Sequence, residues 1–282
     1  MVETNQNPLF KHFRQPAIYI KLPSRGKYWP EGSLDLPTSG EIPVYPMTTQ
    51  DEIALRTPDA LMNGTGVVSV IQSCCPNIKN AWYAPSIDMD ALLIAVRIAS
   101  YGSDMDVDAD CPECKESNRY SIDLSKALDS IQPPDYDEPL TIDDLKFKLQ
   151  PQVYEETNRT NSLDYEEQRI LNAINDSNIT PEEKARIVSE QMKKLSEITI
   201  SLLAKSTAYI DMSDGTRVDQ YNYIEEFYRN AQATIIRKLQ EKVADLAKDV
   251  SVKPYQVKCN QCQHDYEMSI NFDYSSFFAV GF

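Results

Sequence analysis

The segments VDADCPECKESNRYSIDL (residues 107–124) and YQVKCNQCQHDYEMSINF (residues 255–272) share one pattern. In each, a run with strand-like alternation leads into a cysteine, and a second cysteine follows three positions later. A few polar residues then lead into another alternating run. The two segments are pseudo-repeats of one unit, a strand, a CxxC knuckle and a strand. Either knuckle alone is ambiguous, because a redox motif, half of a metal site and a packing accident all fit it.

Together the two knuckles supply four cysteines, Cys111, Cys114, Cys259 and Cys262. Four thiolates match a tetrahedral structural zinc site, which leaves no open coordination position for a substrate. Zinc ribbons usually separate their two pairs by about 15–20 residues, whereas residues 115–258 separate the pairs here. An inserted antiparallel helix pair explains this spacing, because its two ends lie close together. We therefore expect Zn²⁺ as a structural cofactor.

Other roles for the cysteines stay open at this point, namely reactive thiols and cysteines that bind no metal. A thioredoxin-like CxxC needs a βαβ context and normally starts a helix, and neither knuckle starts one. His264 is an alternative ligand or an exposed neighbour of the site. Cys74 and Cys75 are adjacent, and neighbouring cysteines on a helix point apart, so we expect them to be buried as small apolar residues.

The hydrophobic patterns predict an α+β fold that is mainly α. Prolines at positions 23, 30, 37, 43 and 46 exclude a helix at the beginning of the chain. An arm of this kind packs on its own body or on another subunit. The predicted segments are an extended Pro-rich arm with short strands (1–46), a helical domain (47–103), a split zinc-ribbon-like β module (104–151 and 250–274) carrying a helical-hairpin insertion (152–249), and an apolar tail (275–282).

Capping residues mark the helices of the N-terminal domain. Thr48 or Thr49 begins a first helix, with acidic residues in its first turn. Ser86 is the expected cap of a second helix, which is apolar on all sides and therefore belongs to the centre of the core. Gly102 is placed to end that helix.

The insertion shows two long apolar stripes at helical spacing. Thr180, Pro181 and Glu183 predict the start of the first helix. Asp214 and Gly215 mark the turn region before the second helix. The stripes pack on each other within the chain or contact another subunit; they comprise Ile187, Met192, Leu195, Ile198 and Leu202 on the first helix, and Ile224, Phe227, Ala231, Ile235, Leu239, Val243 and Leu246 on the second.

The composition excludes several classes of function. The chain has 28 basic and 43 acidic residues and a formal net charge of -15, which argues against nucleic-acid binding over an extended surface. We find no glycine-rich phosphate motif, no membrane-spanning run and no signal peptide, so we expect a cytosolic protein without a nucleotide or other small-molecule substrate. Asp104, Asp106 and Asp108 share one face of a strand, which we interpret as a solvated acidic face rather than a cation site.

An enzyme is hard to build from the remaining residues. His12 and His264 are the only imidazoles, and His12 lies in the irregular arm. No catalytic triad order and no HExxH motif occurs. We therefore expect no catalytic residues and no enzyme.

Three stretches near the N-terminus resemble a known family: IYIKLPSRGKYWP (18–30), GEIPVYPMTTQDEIALRTPDALMNGTGVVSVIQSCCPNI (40–78) and DALLIAVRIASYG (90–102). They are similar to the baseplate hub assembly proteins of T-even-type contractile-tailed bacteriophages. That family also tends to carry a CPxC word after RIASYG, where Cys111 and Cys114 lie. The resemblance covers roughly residues 18–125.

The resemblance implies a non-enzymatic phage tail protein. We expect a structural component of the baseplate, assembled in the host cytoplasm and located in the virion, with other tail proteins as partners in the hub or wedge region. The alternatives are a hub assembly chaperone that the virion does not retain, a cellular zinc-binding adaptor and a thiol redox protein. The apolar tail, with Phe277, Phe278 and Phe282, is a candidate partner-binding element that needs a groove on this chain or on a neighbour.

Overall fold

Two hydrophobic cores organise the chain in a computed structural model that describes residues 9, 12–57, 63–159, 180–250, 252–269 and 277–278. The first core joins the N-terminal segments to the two cysteine-bearing hairpins. The second core is formed mainly by the segment that separates those hairpins in sequence, and Ile87 of the N-terminal helices is also buried in it. The fold is therefore a mixture of helices and small sheets, as the α+β prediction requires.

The N-terminal arm belongs to the first core. Strands β1 (Ile18–Ile20) and β2 (Ile42–Val44) pair antiparallel, and their inward side chains are buried. Between them, Leu34 forms a bridge with Ile78. The described part of the arm thus packs on its own body, which is one of the two arrangements that the sequence allowed.

Helices form the centre of this core. They are α1 (Thr49–Leu55), α2 (Thr65–Cys74) and α3 (Ser86–Tyr101), with a short 3-10 turn at Ala81–Tyr83. Helix α3 is buried on all sides between Ile87 and Arg97, apart from a half-buried Asp90. This burial agrees with its apolar sequence.

The helix ends confirm two of the three predicted caps. Thr48 caps α1 through a reciprocal capping box with Asp51. Gly102 ends α3 at a φ of 88°. The prediction for Ser86 is wrong, because Pro85 occupies the cap position and no side chain caps the helix. The backbone N–H of Ser86 instead donates to the Gln152 carbonyl at 2.8 Å, so that donor already has a partner.

Two antiparallel hairpins carry the cysteines. The first consists of β3 (Asp104–Asp110) and β4 (Ser117–Asp123) and runs into the short helix α4 (Leu124–Ser130). The second consists of β9 (Tyr255–Lys258) and β10 (Asp265–Met268). Ile122, Leu124 and Met268 are buried in the first core, so both hairpins are attached to the N-terminal helices.

The segment between the hairpins has its own four-stranded sheet, which the sequence analysis did not predict. Strands β5 (Leu140–Ile142) and β6 (Leu145–Leu149) form a tight hairpin. However, β6 pairs next with β7 (Thr207–Asp211), and β7 pairs with β8 (Arg217–Val218). The strands at residues 140–149 therefore share a sheet with the insertion and not with the cysteine-bearing hairpins.

Three helices complete this segment: α5 (Pro181–Lys205), α6 (Tyr221–Asn230) and α7 (Ala233–Val250). The predicted second long helix is thus two helices, interrupted at Ala231, whose backbone is extended. Strands β7 and β8 also lie between α5 and α6, so a simple helical hairpin is wrong. Thr180 caps α5 and Pro181 begins it, as predicted.

The second core is small, but its central side chains are shielded from solvent. Phe147, Ile224, Tyr228 and Leu239 are almost completely buried in it. By contrast, Val188, Met192 and Leu195 on α5 are 38%, 62% and 40% exposed. No helix in the described ranges is both long enough and apolar enough to span a bilayer.

Candidate metal centre

The two cysteine-bearing hairpins are built in the same register. In the first, Asp110 faces Ser117 across the last pair before the knuckle. In the second, Lys258 faces Asp265. Each of these pairs lies directly beside the first cysteine of its knuckle, so the pseudo-repeat seen in the sequence is a repeat of backbone structure.

Matching hydrogen bonds close the two knuckles. The N–H of Cys111 donates to the Glu116 carbonyl at 2.9 Å, and the N–H of Cys259 donates to the His264 carbonyl at 2.9 Å. Both acceptors lie five positions after their cysteine. The same local sequence spacing therefore gives the same turn twice.

A left-handed residue reverses the chain after each knuckle. Lys115 has a φ of 64° and Gln263 a φ of 61°. Their N–H groups donate to the carbonyls of Cys111 and Cys259 at 3.0 and 3.1 Å. This conformation is uncommon for residues other than glycine. Its occurrence at equivalent positions shows that the two turns have the same backbone conformation.

The four sulfur atoms converge on one point. The Sγ atoms of Cys111 and Cys262 are 3.6 Å apart, as are those of Cys114 and Cys259. All four lie within 4.8 Å of one another. Zinc–sulfur bonds of about 2.3 Å in a tetrahedron place the sulfurs about 3.8 Å apart, so the four cysteines could hold a metal ion of this size.

The four cysteines differ in exposure. Cys111 and Cys259 are fully buried, Cys114 is half-buried and Cys262 is exposed. One side of the cluster therefore faces the protein and the other faces solvent. A metal ion at this point would have an entry path on the Cys262 side.

The two cysteines of the second knuckle differ in the pKa of their thiols. The backbone N–H groups of Cys262 and Gln261 lower the pKa of the Cys259 thiol to about 6. The backbone N–H of His264 favours the Cys262 thiolate, but partial desolvation of the sulfur and the neighbouring thiols of Cys114, Cys259 and Cys111 raise the pKa of the Cys262 thiol to about 12. Crowded thiolates repel one another, so a cation is needed to hold four of them here.

Tyrosines fasten the two hairpins together beside the cysteines. The Tyr120 hydroxyl donates to the Lys258 carbonyl at 3.0 Å and lies 3.2 Å from the Tyr266 hydroxyl. The Tyr255 hydroxyl donates to the Asp123 carbonyl at 3.0 Å. These bonds join segments that are more than a hundred residues apart in sequence, and they align the knuckles.

The remaining candidate ligands do not join the cluster. Among the described residues, the four cysteines are the only group of three or more metal-binding side chains close enough to share an ion. His264 instead stacks its ring on Tyr266. Asp104, Asp106 and Asp108 lie exposed on one face of β3, and Asp108 pairs with Arg119 at 2.9 Å.

The other two cysteines are core residues, as expected. Cys74 and Cys75 are both fully buried. Burial raises the pKa of the Cys74 thiol to about 12 and also raises the pKa of Cys75. Both therefore stay protonated and serve as small apolar side chains.

The tail phenylalanines pack on this chain. Phe277 and Phe278 are 2% and 6% exposed and belong to the first core. The Arg97 guanidinium lies 5.5 Å from the Phe277 ring centroid. A groove on the chain itself therefore accommodates these two residues. Phe282 lies outside the described residues, and partner binding by the three phenylalanines stays a prediction.

One residue of the site, Asn118, was not predicted from the sequence. Asn118 on β4 is 4% exposed, and its amide reaches the second knuckle at Asn260 and Cys259. The two repeats offer a signal for this residue, because they differ directly after the first cysteine. Pro112 follows Cys111 and has no backbone N–H, whereas Asn260 follows Cys259 and its N–H needs an acceptor.

Comparison with known proteins gave a family match. A family model described as T4 bacteriophage base plate protein matches residues 18–279. No curated protein matches, and no solved structure matches. The matched range includes all four cysteines and both hydrophobic cores.

Proposed function

Since the chain belongs to the T4 bacteriophage base plate protein family, we propose that it is a structural component of the tail baseplate of a contractile phage. In this role it makes protein–protein contacts in the hub or wedge region, and it catalyses no reaction. Its assembly takes place in the host cytoplasm and its final location is the virion.

The family match over residues 18–279 carries this proposal. The physical features support it. The strongly acidic chain, with a formal net charge of -15, is unsuited to an extended phosphate contact. The two halves of the cysteine cluster come from distant parts of the chain. A link between them would stabilise the tertiary structure of a subunit that is under mechanical load in the tail.

Quantitative mass spectrometry of purified phage particles tests the proposal. A structural component should be present in a fixed ratio to known baseplate proteins, and this ratio should survive repeated density-gradient purification. Isolated capsids without tails are the matched control and should lack the protein. Its absence from intact particles, together with its presence in infected-cell extracts, would favour the assembly chaperone.

We further propose that the four cysteines hold a structural Zn²⁺. Four thiolates are a donor set that suits zinc, and a closed site of this kind contributes directly to folding. Cys111 and Cys114 would hold the ion from the first hairpin, and Cys259 and Cys262 from the second. The ion would then act as a clip that joins the two ends of the segment containing the second core.

Replacement of one ligand tests the clip. Cys259→Ser should lose metal and destabilise the attachment of β9–β10, which protease digestion would show as early cleavage near residues 252–269. Ser125→Ala on the neighbouring helix is a control that touches no ligand. Unchanged digestion of a metal-free Cys259→Ser chain would contradict the structural role.

A further inference from the structure

Asn118 connects the first hairpin to the second knuckle. Its Oδ1 accepts the backbone N–H of Asn260 at 2.9 Å. Its Nδ2 donates to the Glu116 carbonyl at 2.9 Å and lies 3.6 Å from the Cys259 Sγ. The side chain is 4% exposed, so water does not replace these partners.

The surroundings allow only one orientation of this amide. The Asn260 N–H is a donor, so it requires the Asn118 oxygen, and the Glu116 carbonyl is an acceptor, so it requires the nitrogen. The second hydrogen of Nδ2 then points toward the Cys259 sulfur. The sulfur also lies 3.8 Å from Oδ1, but only a protonated thiol could donate there, and a metal-bound thiolate cannot.

The two knuckles differ at the positions involved. The first has Pro112 after its first cysteine, and proline has no N–H that needs an acceptor. The second has Asn260 there, and its N–H is satisfied by Asn118. The position in the second hairpin that corresponds to Asn118, seven residues after the first cysteine, is Tyr266, which contacts Tyr120 instead. Within the described residues, the second hairpin therefore makes no equivalent contact from Tyr266 to the first knuckle.

We infer that Asn118 is a positioning residue of the metal site, which orients the second knuckle and donates a hydrogen bond to the Cys259 thiolate. This inference rests on the proposed metal site. Partners of metal ligands of this kind fix ligand orientation, and their loss typically lowers metal affinity 10- to 100-fold. Asn118 contacts the buried Cys259, whereas in the first knuckle Pro112 has no N–H for an equivalent residue to accept.

The test compares Asn118→Ala with the wild-type full chain by competition for Zn²⁺ against a chromophoric chelator. The variant should keep the same metal stoichiometry but bind zinc about 10- to 100-fold more weakly. Arg119→Ala is the matched control, since Arg119 is the next residue on β4 and its side chain is 69% exposed. Its affinity should stay within about twofold.

A second readout separates a role toward the metal from a role in folding alone. In the Co²⁺-loaded chain, loss of the N–H donor should shift the thiolate-to-cobalt charge-transfer band to lower energy, with the four-thiolate pattern retained. An unshifted band together with wild-type zinc affinity would overturn the inference. Equal loss of thermal stability in the metal-free and metal-loaded forms would also overturn it. Failure of the wild-type chain to bind zinc would refute the metal site itself and so differs from failure at Asn118.

Discussion

Replacing Asp88 by Asn should show how one buried carboxylate holds the N-terminal arm on the helical core. Asp88 is fully buried in the first turn of α3. Its oxygens accept the Ser24 N–H at 2.7 Å, the Ser24 hydroxyl at 2.5 Å and the Trp29 indole N–H at 2.8 Å. These three donors all come from the arm.

The magnitude follows from counting donors and acceptors. Asparagine offers one oxygen and one NH2 group, so one oxygen can still accept the Ser24 N–H. The Ser24 hydroxyl can rotate to accept from the new NH2 group, but the Trp29 indole N–H has no lone pair to offer. A buried donor without an acceptor costs about 1–3 kcal/mol, which is the expected destabilisation of Asp88→Asn at neutral pH.

A double-mutant cycle with Trp29→Phe tests this reasoning. Phenylalanine has no N–H, so in the Trp29→Phe background Asp88→Asn should cost less by about 1 kcal/mol or more. Guanidinium denaturation followed by far-UV circular dichroism gives the four free energies of unfolding. Asp129→Asn, an exposed change on α4, is the control and should stay within about 0.5 kcal/mol of wild type. Equal costs of Asp88→Asn in both backgrounds would refute the account of the unsatisfied donor.

Three further predictions concern other parts of the chain. Burial raises the pKa of Asp88 from 3.8 to about 6, so between these pH values the native chain holds a proton that the unfolded chain releases. The stability of wild type relative to Asp88→Asn should therefore rise as the pH falls through this window, and a flat difference in pH-dependent denaturation would contradict it. Leu239→Ala, in the second core at 0% exposure, should cost about 2–5 kcal/mol in chemical denaturation, and a cost below about 1 kcal/mol would speak against a packed second core. Gly64→Ala should lower the melting temperature through a loss of roughly 1–2 kcal/mol, because Gly64 has a φ of 77° and an added Cβ would lie 2.8 Å from the Asn158 side chain. An unchanged melting temperature would contradict this backbone strain.

The sequence predicted the cysteine cluster because the pseudo-repeat is local. Each knuckle is formed by residues close together in sequence, and the two knuckles together supply four cysteines that cluster in space. The burial of α3, its end at Gly102 and the cap at Thr48 are also local properties, which period and capping residues reveal. Ser86 resembles a cap in the sequence because a good capping residue lies one position inside the helix.

The pairing of strands could not be predicted in the same way. The alternation of apolar and polar residues shows that residues 140–149 form strands but not which strand lies beside them. Strand β7 is short and lies in sequence between two helical patterns, which obscure its own pattern. The apolar stripe continues from Ile224 to Leu246 across the break at Ala231, since two successive helices packing on one core keep a similar spacing. Asn118 was missed because its contacts in the second knuckle, Asn260 and Cys259, are more than a hundred residues away in sequence.

The zinc content of the purified full chain, measured by elemental analysis against protein concentration, tests the central structural claim most directly. We expect about one zinc ion per chain in protein expressed without added chelator. It also predicts that the variant with Cys111, Cys114, Cys259 and Cys262 all replaced by Ser contains none, whereas Cys74→Ala keeps the ion. A wild-type chain without zinc that still folds fully, with both hairpins attached, would contradict the account.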